Sequence, residues 1–131
     1  MKVKYKRVTF TIENGISNII NYFSEYCDIS KSKFVSDCIE YSYQFMEDEL
    51  KEKNDGIYDT VYQRSKKFPN TNPITLTLPQ SVVGKLDYYS KEIGIKKSHL
   101  VRCSIIMWVE DKDKNFQNEI DDLMETIGIK I

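Results

Sequence analysis

Two short stretches of this chain alternate strictly between apolar residues and threonine. Residues 8–12 read VTFTI and residues 74–78 read ITLTL, the period of a strand with one buried and one wet face. Val8, Phe10 and Ile12 fall on one face and Thr9 and Thr11 on the other; Ile74, Leu76 and Leu78 stand likewise against Thr75 and Thr77. After each alternation the apolar spacing becomes helical. Ile16, Ile20, Phe23 and Cys27 form a stripe after the first, and Val82, Leu86, Tyr89 and Ile93 after the second. Asn14 suits the cap of the first helix, and Pro79 the first turn of its counterpart. Gly94 is placed to stop the later helix in the left-handed conformation, which Asp28 tolerates in the earlier one. A second helix then opens after Ile29 and after Ile95. Ser30 is a good N-cap for it, whereas Lys96 at the equivalent place is not. Its apolar positions are Phe34, Val35, Cys38, Ile39 and, later, Phe45 and Met46. In the other copy they are Leu100, Val101, Ile105, Trp108 and Val109.

These parallels are a duplication. Sliding the chain by 66 residues aligns the two stretches without a gap. Tyr22 falls on Tyr88, Ser24 on Ser90, Ile29 on Ile95, Val35 on Val101 and Ile39 on Ile105, and both copies carry Lys-Ser at positions 31–32 and 97–98. The organisation expected is a first strand–helix–helix motif over residues 1–50, a linker over 51–72, a second motif over 73–112, and a C-terminal acidic amphipathic helix within 113–131. Phe116, Ile120, Leu123, Met124 and Ile127 supply the helical spacing of that last segment.

A lone strand leaves its backbone donors and acceptors unsatisfied, and a unit of roughly 45 residues buries too little surface to stand alone. Two copies answer both needs if their strands pair antiparallel and the helices close over the apolar face. The fold class expected is mainly α with a short two-stranded antiparallel ribbon, its threonine face outward. Such a ribbon fits the DNA major groove. The linker, extended at about 3.3 Å per residue, reaches far enough for the strands of one chain to pair with each other. Exchange of strands between chains stays open.

Each copy resembles the ribbon-helix-helix superfamily of the Arc and methionine repressors. Residues 6–12 (KRVTFTI) are especially similar to the strand of the plasmid copy-number repressors. Residues 28–32 (DISKS) and 94–98 (GIKKS) resemble the family's turn into its second helix. The chain is thus identified as two ribbon-helix-helix motifs in tandem plus a C-terminal helix, similar in layout to regulators of archaeal filamentous viruses. The resemblance implies a transcription regulator that reads double-stranded DNA, with base contacts from Arg7, Thr9, Thr11, Thr75 and Thr77. Pro73 stands where Arg7 stands in the first copy, so the second copy should read DNA less strongly. Phosphate contacts are implied for Lys6, Lys31, Ser32, Lys33, Lys97 and Ser98, at the strand and at the start of the second helix. The chemistry agrees: arginine can bond guanine bidentately, and threonine can bond a base edge or pack on a thymine methyl.

Charge neither supports nor excludes this. The chain has a net charge of −1, but residues 110–131 hold seven acids against three lysines, a net −4, which leaves +3 for residues 1–109. Basic residues bunch at 2–7 and 64–67, just ahead of the two strands. The bland readings are a solvated charge run, an ordinary edge strand with a wet threonine face, and polar decoration of a helix start. No apolar window is long enough to span a membrane, and the basic N-terminus lacks the apolar run of a signal peptide. The three cysteines lack metal-finger spacing, and His99 with Cys103 offers too few ligands for structural zinc. No cofactor, metal or catalytic motif is expected, and the setting expected is reducing and cytoplasmic. A homodimer on a longer operator, joined through the acidic helix and surface tyrosines, is the assembly expected. An antitoxin that autoregulates through the same fold, and an assembly module without DNA contact, are the alternatives.

Overall fold

The structure is a computed structural model that describes residues 3–52 and 71–112. In chain order the elements are β1 (Tyr5–Glu13), α1 (Asn14–Tyr26), α2 (Lys31–Tyr41), α3 (Tyr43–Glu52), β2 (Thr71–Pro79), α4 (Gln80–Ile93) and α5 (Lys97–Lys112). The described residues are mainly helical around a two-stranded antiparallel sheet. Most of the expected linker and the expected C-terminal helix lie outside the described residues.

Pairing of β1 with β2 sets the frame. Val8 faces Leu76, Phe10 faces Ile74, and Thr9 faces Thr75. Thr9 and Thr75 are also equivalent by the 66-residue offset, so the pseudo-twofold axis of the duplication passes through this pair. Each strand is nine residues long, longer than the five-residue alternation. Pairing continues while backbone groups find partners, and the Gln80 N–H still donates to Lys4 O at 2.8 Å. Two prolines nevertheless sit in β2. The Thr77 N–H points away from β1, to Ser32 Oγ at 3.0 Å. In an antiparallel ladder inward and outward groups alternate, so odd positions point outward. Pro73 and Pro79 therefore remove no ladder hydrogen bond.

The helices begin and end for local reasons, with departures from expectation: Pro79, expected in the first turn of α4, is instead the N-cap residue that ends β2. Ser30 Oγ accepts from the Lys33 N–H at 3.0 Å and caps α2 as expected. Asn14 is not a cap: it is the first residue of α1, and its Oδ1 accepts from Asn72 Nδ2, tying the helix start to β2. Asp28 (φ 54°) and Gly94 (φ 82°), repeat equivalents, both adopt the left-handed conformation that lets the chain turn into α2 and α5. The second helix of the first copy does not run on through Phe45 and Met46; it breaks at Ser42. The Ser42 N–H is shared between Cys38 O at 3.2 Å and Ile39 O at 3.1 Å. Its buried hydroxyl lies 2.6 Å from Ser104 Oγ. One hydroxyl donates to the other, and the second turns its proton to a carbonyl, Ile39 O or Leu100 O. With Trp108 at the position equivalent to Ser42, α5 continues unbroken for 16 residues.

The core lies between the apolar ribbon face and the helices. Ile12, Leu76 and Leu78 meet Ile16, Ile20, Leu86, Val35, Leu100 and Ile105, all buried. Cys38 and Cys103 are buried, but Cys27, expected on the α1 stripe, is exposed because the helix ends there; Ile19 is buried instead. Phe23 stacks on Phe34 with centroids 6.0 Å apart, and Trp108 meets both edge-on at 5.6 and 5.1 Å. Among these apolar groups sits a buried ion pair. Arg102 Nε donates to Glu13 Oε2 at 2.5 Å, and Arg102 Nη2 also meets Glu13 Oε1, with both residues 4% exposed. Phe23→Ala should lower unfolding free energy by about 3–5 kcal/mol, the transfer loss plus the void left under Phe34 and Trp108; urea unfolding followed by circular dichroism measures it.

Candidate nucleic-acid interface

The outward ribbon face is built from the odd-numbered residues. Arg7, Thr9, Thr11, Thr75 and Thr77 are all exposed on it, as the strand period demands. The axis pair is closest: Thr9 Oγ1 and Thr75 Oγ1 lie 2.9 Å apart, as side chains in a pair without ladder bonds should. One hydroxyl donates to the other, which leaves one proton and several lone pairs directed outward. The ends of the face differ. Arg7 lies beside Thr77, whereas at the dyad-related place Pro73 lies beside Thr11. The extra length of β1 adds Tyr5, 58% exposed, to the arginine end of this face. The charged Lys6 interrupts the apolar alternation ahead of Val8, so the sequence pattern does not point to Tyr5.

The starts of α2 and α5 flank the ribbon, each beside the strand of the other copy. On the β2 side, Ser32 Oγ accepts from the Thr77 N–H, so this hydroxyl secures the ribbon edge. Its proton is still free to donate. On the β1 side, Lys96, Lys97 and Ser98 line a cleft of about 650 Å³ with residues 8–11 of the strand and Val83, Leu86, Asp87 and Ser90 of α4. The positive ends of two helix dipoles thus stand on either side of the face.

Lysines around these helix starts are held by exposed ion pairs. Lys33 Nζ bonds Asp37 at 2.8 Å, and that hydrogen bond and charge raise the ammonium pKa. Lys97 Nζ bonds Asp87 at 2.7 Å, both residues lining the cleft. Such exposed pairs are weak, and either lysine can turn to a phosphate at little expense. Lys6 and Lys31 are exposed; Lys6 occupies an inward-parity position at the end of β1, opposite Leu78. Lys4 and Lys96 add exposed charge beyond the positions that the family resemblance implies. Acids collect at the other ends of the helices. Tyr41 OH donates to Asp111, and Tyr89 OH to Glu47 at 2.5 Å. Burial, and then the bond to Asp111, push the Tyr41 phenol up to about 12.

His99 lies in the first turn of α5, partly buried, and Cys103 is buried one turn further on. Among the described residues no three His, Cys, Asp or Glu side chains gather as metal ligands. No described helix is long and apolar enough to cross a membrane. No family model matches the chain, and neither does any curated protein or any solved structure.

Burial, reinforced by the charges of Arg102 and Lys96, holds the His99 imidazole below its ordinary value of 6.5. The unfolded chain therefore takes up a proton at a higher pH than the folded one. Stability is full above about pH 6.5, falls as pH drops below that value, and levels off beneath the folded pKa. Urea midpoints between pH 7.5 and 5 should show this fall, and His99→Gln should flatten it.

Proposed function

We propose that this chain is a sequence-specific, double-stranded-DNA-binding regulator of transcription, a tandem ribbon-helix-helix protein whose ribbon enters the major groove. One observation carries the reading. The outward face of a paired two-strand ribbon bears Arg7 and four threonines, and a helix N-terminus with lysines flanks it on each side. A ribbon of this width fits the groove, which is about 12 Å wide. Arginine can take O6 and N7 of a guanine together, and the threonines offer hydroxyls and methyls to base edges. The flanking Lys31, Lys33, Lys97, Ser32 and Ser98 supply the sequence-independent grip on phosphates. Glu40 near the end of α2 and Glu110 and Asp111 near the end of α5 stand at the opposite ends of the helices whose starts flank the ribbon, which suits a DNA binder with a net charge of −1.

The two ends of the face imply an asymmetric recognition sequence. The Arg7 end reads a guanine; the Pro73 end has no side-chain donor with which to repeat the contact. Selection of bound duplexes from a random pool tests the whole reading. A recovered site with guanine specified on one side of its centre supports it, and a failure to enrich any sequence sinks it.

Two predictions accompany this proposal. Arg7→Ala, Thr9→Ala and Thr11→Ala should each weaken binding to the selected site by about 1–3 kcal/mol, with unfolding midpoints little changed, while Pro73→Arg should add guanine preference on the second side. Equal losses on selected and random duplexes would remove base reading from these residues. The second concerns salt. Lys31→Ala or Lys97→Ala should reduce the slope of log affinity against log salt by about 1 and leave base preference intact; fluorescence anisotropy at four salt concentrations reads it directly.

A further inference from the structure

The pseudo-twofold axis through Thr9 and Thr75 makes the two halves look interchangeable. Two features of the core are not. Glu13 and Arg102 form a buried ion pair between β1 and α5. Their repeat equivalents are Pro79 and Ser36, so the dyad-related place holds no charge. Trp108 of α5 likewise fills a niche against Phe23 and Phe34 of the first copy. Its equivalent is Ser42, a side chain far smaller than an indole.

We infer that the Glu13–Arg102 pair, backed by Trp108, is a selectivity lock that lets a first-copy half pair only with a second-copy half. The alternatives show why. If first-copy halves of two chains paired, each buried Glu13 would face Ser36, and Ser42 would leave the Phe23 niche empty. If second-copy halves paired, each buried Arg102 would face Pro79. A buried charge without its partner is strongly disfavoured, and so is an unfilled aromatic niche. The lock has a consequence for assembly. Chains that paired like with like would be held together through their ribbons, first copy to first and second to second, as multi-chain assemblies. Pairing of unlike halves can be completed within one chain. It also guarantees that every ribbon carries one Arg7 and one Pro73.

The test uses the full chain in a Cys27→Ser background, which removes the exposed thiol. Thr9→Cys places a new thiol on the axis. In an unlike pair that thiol meets Thr75; in a like pair it meets the same thiol of a second chain. Chains are refolded from urea at high concentration, oxidised mildly and analysed without reductant. The locked protein should remain a single-chain species, and a Thr9→Cys/Thr75→Cys control should close its disulfide. Moving the guanidinium, by Arg102→Ser with Ser36→Arg, gives two ion pairs to a like first-copy pair and none to the unlike one. Disulfides between chains through the introduced thiol should then rise at least tenfold. Glu13→Leu with Arg102→Leu removes the charges and keeps an apolar core; it should raise the same product by a smaller factor. This second variant decides the matter if the first does not fold. Chain-to-chain disulfides at position 9 in the locked protein, or none in a folded variant, would overturn the inference.

Discussion

A β-strand on its own presents unsatisfied backbone groups along both edges, and β1 and β2 each remove half of that burden from the other. Everything else in this chain hangs on that exchange. It places Phe10, Ile12, Leu76 and Leu78 in one apolar sheet face, which the helices cover. It sends the threonines and Arg7 to the opposite face. The outer edges remain, and the starts of α2 and α5 are laid along them. The bond from the Thr77 N–H to Ser32 is one such repair, and the tolerance of Pro73 and Pro79 at outward positions has the same origin.

Covering the ribbon interleaves the halves. The start of α2 flanks β2 and the start of α5 flanks β1, so neither copy completes its own core. Trp108 finishes the aromatic cluster begun by Phe23 and Phe34, and Ser104 completes the hydrogen bonding of Ser42 across the interface. A duplicated sequence usually suggests symmetry, yet two of the contacts between the halves fall where the copies have diverged. Complementary groups on the two sides, a carboxylate against a guanidinium and an indole against two phenyl rings, turn a symmetric frame into a directional one.

The same directionality governs the outward face. Residues on the axis act as a matched pair, whereas residues two positions away face unlike partners. The face carries paired hydroxyls at the centre, a cation at one end and a helix N-terminus on each side.

How much of this could be read without coordinates depends on the range of the interaction involved. The duplication, the alternation of threonine with apolar residues, the Ser30 cap and the turns at Asp28 and Gly94 all rest on residues a few positions apart, and were legible for that reason. So was the outward placing of Arg7, Thr9, Thr11, Thr75 and Thr77, since strand period alone puts odd positions together. Cys27 and Asn14 misled, because a stripe or a cap candidate does not reveal where a helix ends or what stands across from it. The axis at Thr9 and Thr75, the break at Ser42, the double duty of Ser32 and the union of Glu13 with Arg102, 89 residues apart, were decided by tertiary structure. Each depends on which group lies across a gap in space, and a buried charge in a sequence resembles an exposed one until its partner is brought beside it.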